Sequence, residues 1–468
     1  MIISREKSLI GGLLDTDIEQ ILNADTEEKF KYLHFNATLC SPAGELYVGM
    51  LKSIEWSRNY NDDIMEDLRV MFTLDGAEYR KVVHEYQDQL EMVINRTMKD
   101  LVLTSTRYKV FIVSNTADQN PDNYNYMTDA QLKALSPVEM EVQCVTRESY
   151  GLNDVMIEGI YKNASLDKVM MAEYADALRK IEYQDGSPIL SVDMVEIDNT
   201  NTYGHINIPT GTRIMSLPQY LQQHDSYGVY NCGLGRFFQV YKKKPFVFVY
   251  PLFDPKQFDK KEDILMIFHS SHKRAGHYGN TYMLDGKILK IIPEYRAGLN
   301  DPKQDKLLKS ESITYAKPDN VYQSYRNITN GETLKAPNKN NLITQTAKPM
   351  NDGSVRTRYI GPVSNAYKYR SETMANMMSI YQLTWYNSDI ELIYPGMPCM
   401  FITEHSKNGI VKLRGQVQAV WQQYINYGDK QEINGQITIA VMSPSVLMDN
   451  EDYTDTNVQS ALKRKQNQ

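Results

Sequence analysis

Hydrophobic and polar positions alternate near both ends of the chain in a way that predicts strands. The runs Tyr32 to Cys40 and Glu45 onward, split by Ser41-Pro42-Ala43-Gly44, read as a hairpin, because proline and glycine in a short break between β-rich runs are turn chemistry. Asp67 to Thr73 sets Leu68, Val70 and Phe72 on one face against Arg69 and Met71 on the other, a period of two. After Asp75-Gly76 the period changes: Tyr79, Val82, Val83 and Tyr86 recur at helical spacing and predict one amphipathic helix. Leu90 to Thr97 and Tyr108 to Ser114 return to strand character. Residues 1–115 are therefore expected to form an N-terminal β domain carrying one helix.

The middle of the chain is mixed. Pro121 to Pro137 is polar and turn-rich, Val138 to Thr146 reads as a strand, Leu166 to Leu178 as a helix with Val169, Met170, Tyr174 and Leu178 on one face, and Ile189 to Ile197 as a strand. These make residues 116–205 an inserted mixed α/β domain. Residues 206–298 form a further inserted, β-rich unit: Ile206-Asn207-Ile208-Pro209, a short helix Leu217 to Leu221, and strands Gly235 to Tyr241 and Pro245 to Asp254, with Lys242, Lys243 and Lys244 solvated at the turn. From 299 to 358 hydrophobic residues are sparse while Lys, Asn, Thr and Pro accumulate, so an extended polar segment, ordered by a partner, is expected rather than a core.

The C-terminal unit, 359–455, recovers order with a short helix around Glu372 to Met378 and a strand Ile380 to Tyr386. Pro395-Gly396-Met397-Pro398 leads into a further strand, and a long one, Ile410 to Tyr427, has its partner at Gly435 to Met442. Residues 456–468 are a polar tail, expected to fray. The fold class is α+β and β-rich.

Totals sharpen this picture. A chain of 468 residues exceeds the roughly 250 to 300 at which single cores stop growing. With 42% hydrophobic and 23% charged residues, neither disorder nor a fibrous repeat describes it. Tyrosine stands out at 33 against 12 Phe and 3 Trp, which suits strands first and half-wet interfaces second. A net charge of −7 argues against a generic nucleic-acid surface, and solubility alone accounts for it. Cys40, Cys144, Cys232 and Cys399 lie too far apart for a zinc-ligand motif and read as buried thiols of a reducing cytosol, although spacing leaves a long-range disulfide open. Charges at positions 5 to 7 and Asp15 and Asp17 interrupt any signal-peptide core, and no run reaches the roughly 18 apolar residues that span a bilayer, so the chain is expected to stay in solution.

The candidate for chemistry is His269, His272 and His277, imidazoles spaced so that they could share a zinc ion, as in a metal-dependent wall hydrolase. The competing reading is a loop: no HExxH accompanies them, His84-Glu85 lacks its second histidine, and no acid is placed to orient a bound water. Gly233-Leu234-Gly235 lacks the third glycine of a phosphate-binding fingerprint and precedes a strand. GxxxxGK[ST] and GxSxG do not occur, and no carboxylate pair is marked. No catalytic residue, metal ligand or cofactor is assigned, and no enzymatic activity is expected. Trp421 is expected in the core and Tyr427, at the strand end, at an interface.

The layout resembles the central baseplate hub proteins of contractile-tailed bacteriophages. The hairpin Tyr32 to Trp56 with its strand and helix, and Pro395-Gly396-Met397-Pro398 with the long hairpin after it, resemble the two tube-like β-barrel domains such hubs carry at the chain ends. Ile208-Pro209 through Leu221 and Tyr230-Asn231-Cys232-Gly233 to Asp254 resemble their inserted region; residues 299 to 358 have no counterpart. The resemblance implies a structural virion protein, a homotrimer whose six β domains match a hexameric tail tube. It also implies a trimeric spike below, wedge proteins at the rim, DNA passing through the lumen, no stable membrane association, and assembly in the host cytoplasm into the tail baseplate. The alternative from another class is a receptor- or glycan-binding tail protein, with the tyrosines and residues 299–358 as the contact surface.

Overall fold

The computed structural model describes residues 18–21, 33–98, 101–116, 127–133, 137–181, 191–224, 226–241, 244–269 and 281–300, strands between 313 and 362, residues 367 and 371, and residues 378–405, 409–428 and 430–442. The N-terminal lobe contains β1 (Leu33–Ser41), β2 (Gly44–Tyr47), β3 (Met50–Asn59), β4 (Asp67–Leu74), β5 (Glu91–Met98), β6 (Leu101–Asn115) and β7 (Val138–Thr146). The predicted hairpin is there, with the second run divided at Val48-Gly49 into β2 and β3. A capping box at Asp75 and Glu78 starts a helical turn, Gly76–Glu78, which runs on as π-helix through Tyr79–His84 and buries Tyr79, Val82 and Val83.

The strand Val138–Thr146, expected in the inserted unit, instead lies between β4 and β6 in the N-terminal sheet. Its strict alternation, with Val138, Met140, Val142 and Cys144 buried, supplies a core face that the N-terminal strands need. The inserted region then follows as β8 (Met156–Ser165), helix Leu166–Lys180, β9 (Val192–Met194), β10 (Thr202–Arg213), helix Leu217–Gln223, β11 (Leu234–Tyr241) and β12 (Lys244–Pro251). Here β8 and β10 form a two-stranded ribbon over the buried face of the long helix, and β11, β12 and β9 form a second small sheet. Of the strand expected over Ile189 to Ile197, residues 192–194 are extended; Lys242 and Lys243 lie outside the described residues.

β13 (Ile264–His269), β14 (Tyr282–Asp285), β15 (Ile288–Ile291) and β16 (Tyr295–Asn300) also depart from the expected division. They pair with the C-terminal lobe, β13 running parallel to both β15 and β23 (Pro398–His405). Between them lie β17 (Ile313–Pro318), β18 (Ser324–Asn327), β19 (Thr333–Lys335), β20 (Leu342–Pro349) and β21 (Val355–Pro362), an antiparallel five-stranded sheet where an extended segment was expected. Interleaved Ile, Val, Thr and Tyr let these polar runs satisfy their backbone in strand pairs, three of them between sequence neighbours and one, β17 with β21, across the segment. The C-terminal lobe ends with β22 (Met378–Tyr386), β23, β24 (Gly409–Asn426) and β25 (Gln431–Met442). Residues 372–377 of the expected short helix lie outside the described residues, and Met378 opens β22.

One mixed sheet of fifteen strands joins both lobes. The junction is β24, whose C-terminal half pairs with β3 on one edge while β25 pairs on the other. Beneath it Phe35 packs on Trp56 and Tyr424 at ring-centroid distances of 4.9 and 5.2 Å, so the two ends of the chain share one core. The turn before β23 places Gly396 at φ +67°, with the Tyr250 ring 2.3 Å from where a Cβ would sit. Gly396→Ala is expected to lower stability by about 1–3 kcal/mol from the backbone alone, read as a lower midpoint in thermal unfolding.

Candidate assembly interface

The described residues gather no catalytic set. No group of three or more His, Cys, Asp and Glu side chains converges as metal ligands among them. His269 closes β13 with its Nδ1 3.1 Å from Thr403 Oγ1, while His272 and His277 lie outside the described residues. All four cysteines are free thiols, and burial pushes Cys40, Cys144 and Cys399 up, away from the reactive thiolate. Gly233 takes φ +87° at the turn into β11, and Gly235 lies under the Tyr250 ring, so this GxG serves packing. A cleft of about 830 Å³ separates the N-terminal lobe from helix Arg147–Asp154, but its Glu91 is held by both Arg107 and Arg147.

The feature with the greatest reach is the seam. From the C-terminal to the N-terminal lobe, β16, β22, β25, β24, β3, β4, β7 and β6 follow one another, each antiparallel to the next. Because paired residues share a face, the registers assemble one polar surface across both lobes. On the C-terminal side it carries Gln382, Gln423, Gln436 and Thr438; Gln382 Nε2 donates to Gln436 Oε1 at 2.6 Å. On the N-terminal side it carries Glu55, Asp67, Glu139 and Glu141 against Arg69 and Lys52, with Lys52 paired to Glu139 and Gln143 donating to Asp67 at 2.9 Å. At the centre Trp421 is half-buried on this face, across from Ser57 and Gln436, and its Nε1 donates to Glu55 Oε1 at 2.7 Å. Trp421 therefore leaves the core to Tyr424, three positions on and facing inward, while Tyr427 is 59% exposed at the strand end.

Among the described residues one end of this run has no further strand, while at the other the sheet continues into β5, β1 and β2 and leaves β6 only partly covered. β16 pairs only with β22. At the other end, β5 covers Leu101–Lys109 of β6, beyond that Val110 N–H bonds Leu90 O, and no strand of the described residues pairs with the edge of 111–114 that faces away from β7.

Behind the seam a buried ionic cluster fastens the lobes. Arg58 points inward from β3 and is 3% exposed. Its Nε and Nη2 donate to Glu66 Oε2 at 3.0 and 2.8 Å, Nη2 also to Glu391 Oε1, and Nη1 to the Ile390 carbonyl at 3.3 Å. Arg96 Nη1 of β5 donates to Asp389 Oδ1 at 2.9 Å. Burial pushes the Glu66 and Asp389 carboxyls up from their ordinary values, opposed by Arg58 and by Arg96. Sequence reasoning missed this cluster, although the signal was there: Arg58 occupies an inward position in the alternation Ile54, Trp56, Arg58.

The fold and seam define a class, a β-rich chain built on one large mixed sheet that spans two lobes. Within it, residues 44–273, from β2 to just past β13, match the family described as Bacteriophage PBS1 gene 109 protein. No curated protein matches the chain. Among solved structures it is similar to the tail protein from Neisseria meningitidis MC58, at 7% identity, 88% of this chain, 97% of that one and a TM-score of 0.43. It is also similar to the 43 kDa tail protein of prophage MuSo2 from Shewanella oneidensis, at 9% identity, 88% and 98% coverage and 0.43. An Escherichia coli component of the type VI secretion system follows at 9%, 85% and 74%, and 0.40. At these scores the likeness carries no argument about partners or activity.

Proposed function

We propose that the chain is a structural protein of a phage tail: the homotrimeric hub of the baseplate, joining a hexameric tail tube to a trimeric central spike, without enzymatic activity. The observation that carries this reading is the antiparallel run of eight strands across both lobes, which among the described residues leaves β16 uncovered at one end and the short stretch 111–114 of β6 uncovered at the other. Edges of this kind are templates for pairing with another chain, and closure removes them. The two edges differ, so pairing is head-to-tail, and head-to-tail contacts either close into a ring or run on as a filament. Three copies, each giving two lobes, would make a ring of six similar units and cover both of these stretches. The match of residues 44–273 to a phage family supports a phage setting.

On this reading the polar face of the seam lines the channel. Its glutamines and its excess of carboxylates offer a passing DNA strand few phosphate contacts, which suits passage rather than binding. Tail tube, spike and wedge proteins are the expected partners and the virion tail baseplate the location. No helix among the described residues is long and apolar enough to cross a membrane. Negative-stain images of the concentrated protein are expected to show closed rings with an open centre. Single bilobed particles at every concentration, with or without tube protein, would overturn the hub.

A further inference from the structure

The C-terminal lobe has a second apolar face, opposite the shared core. It is formed by Phe268 and Met266 of β13, Met400 and Ile402 of β23, Met283, Ile292 and Ile410. Among the described residues the chain segment that covers it is a single helical turn near the N-terminus. Ile18 and Ile21, three positions apart and so on one side of that turn, are 1% and 0% exposed against this face. The turn's polar residues Glu19 and Gln20 are exposed.

We infer that this turn is an exchangeable clip: in the assembled protein the Ile18–Ile21 turn of one copy seats on the Phe268–Ile402 face of its neighbour. Three observations point there. The contact is small, two isoleucines on a face that includes three methionines, whose unbranched chains adapt readily to a replaced occupant. The eleven residues 22–32 separate the clip from β1, and an extended chain of that length reaches roughly 36–40 Å. And the clip already leaves the N-terminal lobe to dock on a C-terminal one. In a ring closed through the β6 and β16 edges, the N-terminal lobe of each copy has two C-terminal lobes beside it, its own and its neighbour's, with the same face. Exchange of an identical element needs no new complementarity. The inference rests on the ring reading for the neighbour's position, and it adds a tie between copies that the strand edges do not make.

The test pairs two single variants of the full chain, Ile21→Cys and Ile402→Cys, mixed at equal amounts in the unassembled state, then assembled, oxidised and run on a non-reducing gel beside light scattering of the same sample. A covalent dimer joining the two variants, absent from either variant alone, is expected in a trimeric sample. A trimeric sample without that dimer overturns the clip and leaves the ring. A sample that stays monomeric without a dimer overturns the clip and counts against the ring as well. Should either variant fail to fold, Ile18→Cys with Phe268→Cys reads the same contact. The double variant Ile21→Cys/Ile402→Cys at high dilution is the internal check, where the link should form within one chain.

Discussion

Light scattering of the purified chain should give three times the 53.9 kDa protomer mass, and Val113→Lys should shift that mass to one protomer at the same concentration. Val113 sits at the bulge in β6 where the register with β7 slips between Ile112 and Ser114, and it is 53% exposed on the stretch 111–114, whose outer edge no strand of the described residues covers. A lysine there costs the lone chain little, since it replaces a solvated side chain on a strand end. Lysine on an edge strand is how sheets block further pairing. In the ring the same ammonium would be taken from water beside the incoming strand, weakening association about tenfold for each ~1.4 kcal/mol lost. Circular dichroism and thermal unfolding of the variant should match the parent. A parent that is trimeric and a variant equally trimeric would place the interface elsewhere, while a monomeric parent that stays monomeric with tube and spike proteins would remove the hub reading.

Much of the fold is legible because strands announce themselves by period. Val138–Thr146 buries every second residue, Asp67–Leu74 and Gln431–Met442 do so up to their fully buried last residues, and the sequence shows each within a few positions. Period does not say which sheet a strand joins. Val138–Thr146 follows a polar stretch, and Ile264–His269 follows the inserted hairpin, so both read as parts of the middle, yet long-range pairing draws one to the N-terminal and the other to the C-terminal lobe. Trp421 shows the complementary limit. Size alone argues for burial, but its parity along β24, opposite to Val420, Gln422 and Tyr424, sets it on the polar face, where Glu55 accepts its N–H. The same parity put Arg58 inside. A reading by residue type discards a charged residue from the core, whereas strict alternation keeps it there and asks which acids meet it. Those acids lie 8 and 333 positions away in sequence, beyond the reach of any local pattern.

That cluster yields the largest expected effect on the single chain. Arg58→Met should destabilise the protein by about 3–5 kcal/mol, because it leaves the Glu66 and Glu391 carboxylates without their shared cation, Glu66 being the more deeply buried of the two. Against a typical total of about 5–15 kcal/mol this is a large share, and it acts where β3 meets β24, so the lobes should loosen together. The triple variant Arg58→Met, Glu66→Gln, Glu391→Gln should recover much of the loss, since it removes the charges rather than stranding them. The pH dependence distinguishes this account from a packing defect. Burial raises the Glu66 carboxyl in the folded protein above its value in the unfolded chain, so the folded state holds the proton more tightly. Stability from that group therefore rises as pH falls through the raised folded value toward about 4.5, and is lost as pH rises. Without Arg58, which opposes the shift in the parent, the rise should be steeper in Arg58→Met and nearly absent in the triple variant. Urea unfolding of all three between pH 7 and pH 5 measures it. An Arg58→Met protein whose deficit stays constant across that range has lost packing and not a counter-charge.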